Sequence, residues 1–138
     1  MCEDLGPSGY VKILKGTGSA SFLYAQVLNP ATLPRDLAVA DFDFDGFDDL
    51  AVTEEGDAAG VGVLSIWHNV AGSFQPWTSM PLVGHADGLA VGDYDADGIL
   101  DVAVCLTDSA MTIKRGGLQL LKGGGTNAVW DGTFAQAL

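Results

Sequence analysis

The chain has 138 residues, of which 48% are hydrophobic, and a formal net charge of −12 with a pI near 4.1. That length suits one compact domain, and six Lys and Arg against eighteen Asp and Glu exclude nucleic acid, whose phosphates call for a basic footprint. No apolar run approaches the roughly 18 residues of a membrane span, and 19 glycines fit turns between short strands better than long helices.

The first residues are acidic and carry Gly and Pro, without the basic start and apolar core of a signal peptide. A mature chain would look the same, so export stays open. Tyr10-Val-Lys-Ile-Leu-Lys-Gly16 predicts a strand at 9–15, and a second follows a Gly-containing turn at 20–28. Met1 to Leu5 reads as a remnant of the strand before them. Cys2 then lines up with Cys105, and these two cysteines are read as small buried residues rather than a bridge.

The most informative stretch is Leu37-Ala-Val-Ala-Asp-Phe-Asp-Phe-Asp-Gly-Phe-Asp-Asp-Leu50. Asp41, Asp43, Asp45 and Asp49 occupy positions 1, 3, 5 and 9 of a loop, with Gly46 at position 6. Carboxylates at that spacing repel one another unless a hard cation lies between them. Calcium takes six to eight oxygens at about 2.3–2.6 Å, and a position-7 backbone carbonyl, here of Phe47, completes such a set. Gly46 supplies the sharp turn, because a left-handed backbone costs little without a Cβ. The pattern returns 52 residues later as Asp93, Asp95, Asp97, Gly98 and Asp101, with Ile99 at position 7. Two calcium ions per chain are expected, and they would offset four of the twelve excess negative charges.

An EF-hand would need a bidentate acid at position 12 between two helices, but position 12 is Val52 in one copy and Val104 in the other. The flanks are short and rich in Val and Leu, so each loop is predicted to close a β-hairpin.

The 52-residue period extends beyond the loops. Val63-Leu-Ser-Ile-Trp-His-Asn69 aligns with Leu118-Gln-Leu-Leu-Lys-Gly123 and with the copy at Tyr10. A period near 50 marks a repeat architecture with one supersecondary unit per repeat. Four strands fit each unit: 36–41, 49–54, 61–68 and 73–80, then 88–93, 101–106, 116–122 and 129–136. The predicted domains are therefore a partial unit at 1–28 and full units at 29–80 and 81–138. Apolar residues on both strand faces predict sheets packed between neighbouring sheets, with Pro30, Pro34, Pro76 and Pro81 in the connections.

No catalytic residue is assigned. Paired carboxylates serve glycosidases, but that chemistry needs neither a position-6 glycine nor a second matching set. His68 and His85 lie apart and read as surface or turn residues. No Gly-x-Ser-x-Gly elbow is present, Gly123-Gly-Gly125 lacks the Lys and Ser or Thr of a phosphate loop, and Cys105 sits in an apolar strand without a basic neighbour. Trp67, Trp77, Trp130, Phe74 and Phe134 are expected to be core between units, with sugar-stacking platforms as the alternative. Asp48, Glu54, Glu55 and Asp57 are expected to form a solvated acidic face.

The motifs Leu37–Leu50 and Leu89-Ala-Val-Gly-Asp-Tyr-Asp-Ala-Asp-Gly-Ile-Leu-Asp-Val102, with the Gly-Thr-Phe ending at Phe134, resemble the FG-GAP/VCBS repeat family of calcium-bearing propeller blades. The resemblance covers nearly the whole chain. It implies an all-β fold of β-propeller-type blades, each a four-stranded antiparallel sheet with calcium in its first hairpin. Propellers close with about four to eight blades, whereas this chain has about two and a half. A longer protein, or self-association through blade edges into a homo-oligomer, is therefore expected. The implied role is a binding, adhesion or assembly module in an extracellular or periplasmic setting, with a protein or glycan ligand. A lectin, or a non-catalytic fragment of a larger secreted enzyme, is the alternative.

Overall fold

The structure is a computed structural model that describes residues 2–3, 9–56, 60–107, 116–126 and 129–136. All regular structure among them is β. Eleven strands run in chain order: β1 Cys2–Glu3, β2 Tyr10–Gly16, β3 Phe22–Leu28, β4 Pro34–Ala40, β5 Asp49–Glu54, β6 Val63–Val70, β7 Ser73–Pro81, β8 His85–Gly92, β9 Asp101–Thr107, β10 Gly116–Thr126 and β11 Val129–Gln136. They form three antiparallel sheets, ordered β1-β2-β3, β4-β5-β6-β7 and β8-β9-β10-β11. Each sheet is a meander, and β4 of the second lies against β8 of the third while β7 touches both β3 and β11. The stacking is that of propeller-type blades.

The middle sheet is buried on both faces, and β5 shows this best, with every residue from Asp49 to Glu54 buried. Leu50 and Val52 face the first sheet, where they pack with Val11, Leu28 and Trp67. Ala51, on the opposite face, joins Phe42, Leu64, Ile66, Val102, Val104, Leu121 and Trp130 between the second and third sheets. Period-2 alternation thus feeds two cores from one strand. In the third sheet, Val102, Val104 and Leu106 of β9 face inward and Cys105 is exposed. Leu118 is 70% exposed, and Phe22, Leu23 and Tyr24 at the start of β3 are 64–68% exposed on both faces of that strand.

The aromatics expected between units are there: Trp130 is 3% exposed and its ring lies 5.4 Å from Phe42, 4.9 Å from Phe134 and 4.6 Å from Trp77. Polar links also cross the sheets. The Gln26 side chain accepts from Phe74 N–H and donates to Phe74 O, and Asp36 accepts from Leu89 N–H.

Four expectations need correction. Pro34 opens β4, Pro76 lies inside β7 and Pro81 ends it. Edge strands tolerate proline where no ladder donor is needed, and Pro76 sits at the bulge where the register shifts between Ile66 and Trp67. Glu54 is fully buried rather than solvated, because its central strand is covered on both sides; it accepts from Thr32 N–H at 2.8 Å and from the Ser65 hydroxyl. Asp48 is exposed, while Asp57 lies outside the described residues. Cys105 is a free, exposed thiol rather than a buried one, since it points away from the second sheet. His85 is the first residue of β8 rather than a turn residue, and its Nδ1 lies 2.7 Å from Glu55 O.

Candidate metal centres

Both acidic loops close hairpins, the first between β4 and β5 and the second between β8 and β9. Their hydrogen bonds correspond position by position. At position 1, Asp41 accepts from Asp45 N–H and Gly46 N–H at 3.1 and 2.9 Å; Asp93 accepts from Asp97 N–H and Gly98 N–H at the same distances. At position 3, Asp43 and Asp95 accept the same position-5 N–H groups at 3.2 Å. At position 5, Asp45 accepts from Phe47 N–H and Asp97 from Ile99 N–H. In these bonds Asp43, Asp45, Asp95 and Asp97 each use one oxygen, whereas Asp41 and Asp93 accept through both; every oxygen keeps a further lone pair.

Position 9 anchors the loop to the sheet. Asp49 and Asp101 are 0% and 2% exposed. Asp49 accepts from Phe42 N–H and from Asn69 N–H on β6, and Asp101 accepts from Tyr94 N–H and from Gly123 N–H on β10. Burial pushes the Asp49 carboxyl above its ordinary range, against the opposing pull of the Asn69 and Phe42 N–H groups.

The predicted left-handed glycines are found, with φ of 92° at Gly46 and 85° at Gly98. Position 4 is left-handed as well, at Phe44 (φ 59°) and Ala96 (φ 63°), and nothing in those residue types announces it. Two adjacent turns of this hand let successive carboxylates converge. Oxygens of Asp41, Asp43 and Asp49 lie within 4.8 Å of one another, and so do those of Asp93, Asp95 and Asp101. Oxygens that share one calcium ion at 2.3–2.6 Å can be no more than about 5 Å apart, so each trio fits that ion. Asp45 groups instead with Asp43 and His68, and Asp97 lies 2.8 Å from Lys122 Nζ.

His68 and Lys122 were not assigned to the loops from sequence, yet the structure puts both there. His68 Nε2 is 3.1 Å from Asp43 and 3.8 Å from Asp45, and its ring stacks on Trp77 at 4.4 Å. Lys122 Nζ contacts both Asp95 and Asp97; its hydrogen bond, with that of Ile99 N–H, holds the Asp97 carboxyl below the usual range, and the two carboxylates push the Lys122 amine up. The available signal was the aligned strand, in which His68-Asn69 and Lys122-Gly123 share two columns, the second of which donates to the position-9 aspartate.

Stacked four-stranded meanders with an acidic loop in the first hairpin define the chain as a propeller-type repeat protein. Residues 33–67, which contain the first loop and strands β4 to β6, match the family model of the FG-GAP repeat. Repeats of this family are typically non-catalytic binding modules. No curated protein matches the chain. No helix among the described residues is long and apolar enough to cross a membrane.

Proposed function

We propose that the chain is a calcium-stabilised, propeller-type binding or assembly module without catalytic chemistry of its own. The carrying observation is the correspondence of the two loops, whose carboxylate trios have the same hydrogen bonds and the same 4.8 Å spacing limit. Asp41, Asp43, Asp45 and Asp49, with the Phe47 carbonyl, hold one ion; Asp93, Asp95, Asp97 and Asp101, with the Ile99 carbonyl, hold the other. Calcium neutralises the mutual repulsion and fixes the hairpin tip. A ligand that binds only the folded state stabilises it by about 2.7 kcal/mol per site at a hundredfold excess over Kd. Extracellular calcium modules work near 0.1–1 mM, which favours an exported setting. Melting curves with millimolar calcium and with EGTA test this: a lower Tm in EGTA is expected, and superimposable curves would contradict it.

The exposed Leu118 on the third sheet, and the exposed start of β3 at Phe22, Leu23 and Tyr24, favour contact with further blades or with a second copy. Sedimentation at micromolar concentration tests self-association, and a monomer would remove it.

A glycan-binding reading has one observation in its favour. Trp67 and Trp77, with Asn29, Ser65, Thr78 and Ser79, line a cleft of about 460 Å³ beside Pro30 and Pro76. Binding on a glycan array that disappears in Trp77→Ala would favour it.

A further inference from the structure

We propose that His68 makes the first loop a mixed nitrogen and oxygen site, at which Asp43, Asp45 and His68 take a borderline divalent ion such as zinc. The second loop, with Lys122 in the same place, is unable to do so. Ligand atoms of the three residues lie within 4.8 Å of one another. His68 Nε2 is 3.1 Å from Asp43 Oδ2 and 3.8 Å from Asp45 Oδ2. Neighbouring ligands about 2.1 Å from a four- to six-coordinate ion stand roughly 3.0–3.5 Å apart, so the Asp43 separation falls within that range and the Asp45 oxygen has only a few tenths of an ångström to close.

The second observation concerns the nitrogen itself. Nε2 is shielded from solvent, yet it satisfies hydrogen-bond geometry with nothing among the described residues. A buried imidazole nitrogen left so beside two carboxylates suits a lone pair aimed at a metal. Trp77, stacked on the ring at 4.4 Å, restricts its rotation. Calcium gains little from such a donor, because it selects oxygen, whereas imidazole suits zinc and its neighbours in the transition series.

The second loop is an internal control. Lys122 occupies the same strand column and contacts Asp95 and Asp97, but an ammonium has no lone pair to offer. It acts there as a tethered cation. A zinc ion on Asp43 and Asp45 uses two members of the first calcium set, so zinc and calcium exclude each other at the first loop and not at the second.

The proposal does not depend on the calcium reading, and the experiment keeps them apart. Calcium-free protein titrated calorimetrically with zinc should bind with a Kd at least about tenfold tighter than His68→Gln. Lys122→His should gain a second such site. In calcium, native mass spectrometry should then show one zinc replacing one calcium in the wild type. Equal zinc affinity in the wild type and His68→Gln would overturn the proposal, as would a Lys122→His chain that gains no zinc. Failure of calcium to bind would remove the earlier reading and leave the zinc titration meaningful.

Discussion

The two acidic loops have one backbone and different surroundings. Position 2 of the first is Phe42, which is fully buried between the second and third sheets; position 2 of the second is Tyr94, which is 48% exposed. Position 7 reverses the order, with Phe47 46% exposed and Ile99 buried in the same core as Phe42. The loop is thus more than a metal cradle. Phe42 reaches toward the third sheet and Ile99 toward the second, so both hairpin tips help to seal that one junction. Tyr94, with no described sheet after its own, stands half in solvent, and Phe47 stays exposed although the three-stranded first sheet precedes it.

The largest effect that tests this comparison is at position 2. Phe42→Ala should cost about 3–5 kcal/mol, the usual penalty for emptying a large buried side chain, whereas Tyr94→Ala should stay within about 0.5 kcal/mol. Urea unfolding of both variants measures the pair. Equal losses would mean that the second loop's outer side is also covered in solution.

Position 9 should instead behave alike in the two loops. Asp49→Ala and Asp101→Ala each strand two backbone N–H groups, and a loss of about 2–4 kcal/mol is expected for each. The loss should persist in EGTA, because these bonds join protein to protein. A penalty confined to calcium buffer would show that the anchoring matters only through the ion.

Smaller effects come from the turn. Gly46→Ala and Gly98→Ala should each cost about 1–2 kcal/mol, since both glycines have left-handed backbones. Position 4 carries the opposite strain: Phe44→Gly and Ala96→Gly should raise stability by up to about 1 kcal/mol at these positive-φ sites, as read from the shift in unfolding midpoint. A loss at either residue would mean that its side chain contributes more than its backbone costs.

Much of this architecture was legible in the sequence, because a repeat states the same information twice. Two loops in register fixed both hairpins, and strand segments aligned to them gave the remaining elements to within a few residues. The coupling across blades was less legible. Glu54 reads as surface acid when its strand is taken alone, and only the sheet on either side buries it. Pro76 reads as a loop residue until β7 is known to be an edge strand with a bulge. The left-handed Phe44 and Ala96 carry no compositional mark, since the converging carboxylates hold that backbone. His68 and Lys122 were visible as one column of an alignment, but their meaning came from β6 and β10 lying beside the loops.

The most direct test of the central claim is a count of metal. Native mass spectrometry of the chain, exchanged into a volatile buffer with calcium present, should give two calcium ions per chain, and one in Asp41→Asn or Asp93→Asn. A wild-type mass that carries no specifically bound calcium would contradict the account at its root.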